Sequence, residues 1–101
     1  MTMQETQCVS KAVNMLGKKW TIPILYQLCS KKRRFGELQK ALTGISPKTL
    51  SIRLKELEKG RIVKKRVFPT MPLHVEYALT ARGRSLRDII AKIHTWGERH
   101  N

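Results

Sequence analysis

Thr43-Gly-Ile-Ser-Pro-Lys-Thr-Leu-Ser-Ile-Arg-Leu-Lys-Glu-Leu-Glu-Lys-Gly60 reads as a tight turn, a capped helix and a stop. Thr43-Gly44-Ile45 makes the turn. Ser46 is a natural N-cap, because its hydroxyl can accept a free backbone N–H of the first turn, and Pro47 suits the first helical position, where a missing N–H costs nothing. Leu50, Leu54 and Leu57 recur at i, i+4 and i+7 as one buried stripe, and Gly60 supplies the C-terminal stop. On a wheel at about 100° per residue, the opposite direction falls on Lys48, Ile52, Lys55 and Lys59, flanked by Thr49, Ser51 and Glu56.

Upstream of the turn, Phe35, Leu38, Ala41 and Leu42 share one face of a third short helix. Residues 20–29 before it are apolar on more than one side and read as a central buried helix, with Pro23 tolerated in its first turn. Val9, Ala12, Val13 and Leu16 mark one stripe of an amphipathic helix over residues 8–16, which Gly17 ends. Downstream, residues 62–68 and 75–79 are β-branched and aromatic runs separated by Pro69-Thr-Met-Pro-Leu-His74, which suits a hairpin with a wide tip. Thr80 then caps a last helix over residues 80–97, whose apolar positions are Leu86, Ile89, Ile90, Ile93 and Trp96.

Two helices joined by a glycine turn and followed by a basic hairpin predict a winged helix-turn-helix: mainly α, with a β-hairpin wing over residues 62–79 and a recognition helix over 46–59. At 101 residues, residues 1–101 are expected to form a single domain around one core. A core of that size does not need both terminal apolar stripes. Val9, Ala12, Val13 and Leu16 with Leu86, Ile89, Ile90, Ile93 and Trp96 are therefore expected to build a homodimer interface.

The charge balance agrees with such a fold. Twenty-one Lys and Arg against seven Asp and Glu give a formal charge of +14, which calls for a polyanionic partner, here double-stranded DNA. No apolar run approaches the roughly 20 residues of a membrane span, and Met1-Thr-Met-Gln-Glu-Thr-Gln7 lacks the apolar block of a signal peptide. A cytoplasmic protein without membrane partners is expected. Cys8 and Cys29 are too few for a disulfide scaffold and lack zinc-ligand spacing, so neither metal nor cofactor is expected. His74, His94 and His100 are scattered and form no catalytic constellation, so no enzymatic activity is expected.

A recognition helix enters the major groove by its N-terminal part, which places Ser46, Pro47, Lys48, Thr49, Ser51 and Ile52 nearest the base edges, with Lys55 following. Ile52 is apolar on an outward face, and two readings stand: contact with a thymine methyl, or closure over the neighbouring helix. Lys48 and Lys55 also have a solvated-face reading. Arg53 lies beside the leucine stripe, so its stem packs while its head reaches a phosphate or a carboxylate, with phosphate preferred. Arg33 and Arg34 end a basic run beside the N-terminus of the third helix, where phosphate contact competes with plain solvation. In the wing, Lys64 and Arg66 share one strand face and Lys65 takes the other.

Taken in order, Cys8, Gly17-Lys-Lys-Trp-Thr21, Arg33-Arg-Phe-Gly-Glu-Leu38, Gly44-Ile-Ser-Pro-Lys-Thr-Leu50, Arg53-Leu-Lys-Glu-Leu57, Val75-Glu-Tyr-Ala-Leu-Thr80 and Trp96-Gly-Glu-Arg-His100 make the chain similar to HxlR-type winged-helix regulators, relatives of the MarR class. The resemblance implies that the first and last helices build the dimer, that the helix of residues 47–59 reads DNA and that the hairpin is the wing. Family members often carry a polar residue where this chain has Ile52. Some use an N-terminal cysteine as a redox or electrophile sensor, a role the resemblance offers to Cys8, with an oxidant or small molecule as effector. Placed just ahead of the first helix and near Lys11, the Cys8 thiolate would also be favoured by the positive helix end; the competing reading packs Cys8 in the dimer interface.

Two other functions fit the charge alone. A small basic RNA-binding protein requires exposed stacking aromatics, yet the six aromatics fall mainly on core or hairpin positions. A winged-helix protein-interaction adaptor would not need a basic outer face on its recognition helix.

Overall fold

The computed structural model describes residues 2–101 and runs α1 (Met3–Leu16), α2 (Thr21–Ser30), β1 (Arg33–Arg34), α3 (Phe35–Ala41), α4 (Pro47–Lys59), β2 (Val63–Phe68), β3 (His74–Leu79), α5 (Ala81–Arg84) and α6 (Arg87–Arg99). This is the winged helix-turn-helix expected from the sequence: α3, a glycine turn and α4, followed by the β2–β3 hairpin. Gly44 makes the turn at φ 96°, a left-handed conformation that glycine adopts at little cost. Ser46 then caps α4, its Oγ accepting the Thr49 N–H at 3.0 Å, with Pro47 in the first turn.

The core forms around α2, which is apolar on several sides and so can be covered on several sides. Ile24, Leu25 and Leu28 lie inside with Leu38 of α3, the Leu50-Leu54-Leu57 stripe of α4, Tyr77 and Leu79 of β3, and Ile90 of α6. Each such leucine or isoleucine contributes about 1.5–3 kcal/mol when fully buried. The leucine stripe thereby fixes which face of α4 turns outward.

Four features differ from the sequence expectation. The first helix begins at Met3 rather than near Cys8, because Thr2 and Glu5 form a capping box in which Thr2 Oγ1 accepts the Glu5 N–H at 3.1 Å and the Thr2 N–H donates to Glu5. The last helix is divided. Thr80 caps α5 as expected, but Ser85 and Leu86 separate it from α6, which continues through Gly97 to Arg99. Arg33 and Arg34 form a short strand that extends the hairpin into a three-stranded antiparallel sheet of order β1-β3-β2, with Arg33 opposite Tyr77 and Arg34 opposite Glu76. Finally, Ile90 faces inward at 2% exposure. That residue was expected at a dimer interface, but it serves the chain's own core against α2. Among the described residues, no helix is long and apolar enough to cross a membrane.

Candidate nucleic-acid interface

On α4 the outward face follows the wheel. Ser46, Pro47, Lys48, Ile52, Lys55 and Lys59 are exposed, Thr49 and Ser51 are half-buried at its flanks, and the three leucines are inside. Three ammonium groups and one isoleucine therefore share a ridge that the rest of the fold leaves uncovered. In the wing, Lys64, Lys65 and Arg66 are all exposed. The register places Lys64 and Arg66 across from Ala78 and Glu76, and Lys65 across from Tyr77, so the expected split between two sheet faces is present.

Glu76 is the carboxylate at the centre of this sheet. It lies 3.4 Å from Lys32 Nζ and 3.5 Å from His74 Nε2, while Arg66 stacks over Phe68 at 4.8 Å and Phe68 stacks on His74 at 4.5 Å. Glu76 offsets part of the wing's charge, yet Lys64 and Lys65 keep their ammonium groups free of any carboxylate among the described residues.

Two arginines depart from their expected use. Arg53 directs its Nε to the Lys19 carbonyl at 2.9 Å and its Nη1 to Glu56 at 2.9 Å, so its head meets a carbonyl and a carboxylate rather than standing free for phosphate. Glu56 also pairs with Lys18. The Lys18 ammonium, and after it the Arg53 guanidinium, holds the Glu56 carboxyl below the usual carboxylate range. Together these groups tie α4 to the turn of residues 17–20 and so set the angle at which its outer face is presented. Trp20 occupies that turn at φ 80°. Arg33 is likewise engaged, donating from Nε to the Gln27 carbonyl at 3.1 Å and lying 3.3 Å from Ser30 Oγ. Arg34 is exposed, but its N–H donates to Glu37 Oε1 at 2.8 Å. That bond is the main reason the Glu37 carboxyl sits below its usual range. The start of α3 is thus capped by its own glutamate.

The terminal helices carry the other candidate surface. No residue of α1 is buried, and Val9 and Val13 are 54% and 58% exposed; Ala12 is exposed, while Leu16 packs partly against the core. On α6, Ile89, Ile93 and Trp96 are 52%, 47% and 64% exposed, whereas Leu86 packs partly on the core beside buried Ile90. Cys8 is exposed but lies in the second turn of α1, and Glu5 occupies the first turn. The expected placement of its thiol at the positive helix end is therefore incorrect. Cys29 is half-buried, and burial pushes its thiol up although Arg87 pulls the other way.

A carboxylate was one of the two partners open to Arg53, but the Lys18–Glu56 and Lys32–Glu76 pairs are not marked in the sequence. Both join residues far apart in the chain, and no periodicity announces them.

A capped helix with a basic outer face, set beside a basic wing, defines a DNA-binding helix-turn-helix transcriptional regulator of the winged type. The HxlR-like helix-turn-helix family matches residues 15–101, and the chain belongs to that family. It is similar to the uncharacterized HTH-type transcriptional regulator YvaP of Bacillus subtilis, with 43% identity over 86 residues, covering 85% of this chain and 80% of that protein. A solved structure described as a MarR-family transcriptional regulator from Porphyromonas gingivalis W83 superposes with a TM-score of 0.89 at 36% identity, over 92% of this chain and 91% of that one. The redox regulator HypR in its oxidized form gives a TM-score of 0.89 at 33% identity, over 92% of this chain and 96% of that one.

Proposed function

We propose that the protein acts as a homodimer that binds an inverted-repeat operator in double-stranded DNA. Ser46, Pro47, Lys48, Thr49, Ser51, Ile52 and Lys55 lie nearest the base edges, and Arg34, Lys64, Lys65 and Arg66 meet phosphates. The carrying observation is the uncovered α4 ridge of Lys48, Ile52, Lys55 and Lys59. A groove-reading helix needs such a ridge; a protein-interaction adaptor does not. Dimerisation is supported by α1, a helix of 14 residues with none buried. Isolated helices of about that length are marginal in water, so α1 requires a covering partner. The elongated shape agrees. The radius of gyration is 14.8 Å, against about 13 Å for a compact chain of this length.

Lys48→Ala is expected to lower specific binding more than non-specific binding, whereas Lys65→Ala lowers both alike by removing a phosphate contact. With about 6–10 phosphates neutralised per dimer, log affinity falls against log salt with a slope near −5 to −9. Titrations of a selected duplex and a scrambled duplex over a salt series check this. Salt-independent affinity, or unchanged sequence preference in Lys48→Ala, contradicts the proposal. Arg33→Ala is expected to cost stability rather than affinity, because its guanidinium is held by the Gln27 carbonyl and lies beside Ser30.

Redox responsiveness at Cys8 is the second part of the proposal. It is supported by the exposure of Cys8 on α1 beside Val9 and by the likeness to HypR. A peroxide oxidises the thiolate to a sulfenic acid as its O–O bond breaks and the leaving oxygen takes a proton. The modified side chain then disturbs the covered face of α1. Peroxide is expected to weaken operator binding by the wild type and leave Cys8→Ser unaffected in a gel-shift titration. An equal response in both proteins removes Cys8 from the site.

A further inference from the structure

Ile52 is the one large apolar side chain exposed on α4, at 44%. The sequence left open whether it closes over a neighbouring helix. It is not part of the core: it belongs neither to the core cluster nor to the partly buried residues packed on that core, and 44% of it stays open to solvent. Its neighbours on the ridge are Lys48 one turn before and Lys55 one turn after, with Ser51 beside it. An isolated exposed apolar side chain is common on protein surfaces. This one sits between two cations on the face that meets DNA.

When α4 enters the major groove, a side chain at this position loses its water against the groove floor. Isoleucine can neither donate nor accept a hydrogen bond. Placed over guanine it covers the N7 and O6 acceptors, over adenine N7 and the N6 amino group, and over cytosine the N4 amino group, leaving polar groups unpaired. Thymine alone offers an apolar group there, its C5-methyl. The lysines on either side supply attraction to phosphates and to guanine acceptors, but neither can favour a methyl group.

We propose that Ile52 determines specificity by packing on the C5-methyl of one thymine in each half-site, an inference that rests on the DNA-reading role proposed above. Burying one methyl group corresponds to about three- to tenfold in affinity per half-site.

The test uses the full-length protein and a duplex enriched from a random library by its binding. Each thymine of the half-site is replaced in turn, symmetrically in both half-sites, by deoxyuridine, which removes only the methyl group. Dissociation constants are measured for the wild type and for Ile52→Ala, an exposed substitution whose folding is verified by circular dichroism. At one thymine, the deoxyuridine duplex is expected to bind the wild type about three- to tenfold more weakly per half-site and to bind Ile52→Ala as well as the thymine duplex does. Loss of the methyl effect at every thymine, or an equal effect in Ile52→Ala, overturns the Ile52 assignment while leaving the operator intact. A library that yields no shared sequence overturns the DNA-reading role itself, and the Ile52 assignment with it.

Discussion

Val13→Asp combined with Ile93→Asp is expected to leave the protein folded but monomeric at micromolar concentration, and to lower operator affinity by about 10²–10⁴-fold through loss of the second half-site. Both side chains are more than 45% exposed in the single chain, so neither substitution touches its core. In a dimer whose covered face includes α1 and α6, each would bury an unpaired carboxylate, which costs several kcal/mol per ion. Ile90→Ala provides the contrast. That residue is 2% exposed and belongs to the core where α6 meets α2, so its truncation is expected to cost about 2–5 kcal/mol of stability. Sedimentation equilibrium, circular dichroism and operator titration of the three proteins separate the two effects. A wild type that is already monomeric, or a double variant that remains dimeric, contradicts the assignment of these helices.

Gly83→Ala is expected to be among the most damaging single substitutions in the chain. An added Cβ at Gly83 would collide with the Ile62 carbonyl oxygen and lie 3.2 Å from Leu79 Cδ2. The obstacle is backbone rather than a movable side-chain end. That carbonyl also accepts the Thr80 N–H at 3.0 Å, and Thr80 Oγ1 in turn accepts the Gly83 N–H at 3.0 Å. Shifting α5 to make room would open the joint between the wing and the last helices. A loss of about 3 kcal/mol or more, at the upper end for overpacking, corresponds to a fall in Tm of roughly 10–20 °C for a domain of this size. Gly36→Ala is the control, because nothing lies within 4 Å of its added Cβ. Stability there is expected to stay level or rise by up to about 1 kcal/mol. Thermal unfolding at one fixed protein concentration checks both, and a Gly83→Ala protein as stable as wild type would show that the close approach is not rigid.

The parts of the fold that were legible in the sequence are those decided by local chemistry. Ser46, Pro47 and Gly60 mark the ends of α4 by the hydrogen bonds each can or cannot make, and the leucine spacing selects its buried face. The solvent-facing ridge then follows by geometry alone. Thr2 and Glu5 were equally local. Their capping spacing signals the true start of α1, but the apolar stripe began later and drew the boundary to residue 8. What was not legible depends on partners distant in sequence. Arg33 becomes strand because Tyr77 is opposite it. Arg53 meets Glu56 one turn along its own helix, but the partner that fixes its Nε, the Lys19 carbonyl, lies 34 residues away in sequence. Ile90 and Ile93 share the same helical periodicity, and only the position of α2 decides that one faces the core and the other solvent.

Operator symmetry is read by selecting bound duplexes from a random library with the 101-residue chain and comparing the enriched sequences. Two α4 helices related by a two-fold axis are expected to select an inverted repeat whose half-site centres lie about 34–36 Å apart, one turn of duplex. Enrichment of no common sequence, or of a single unrepeated site, would contradict that arrangement.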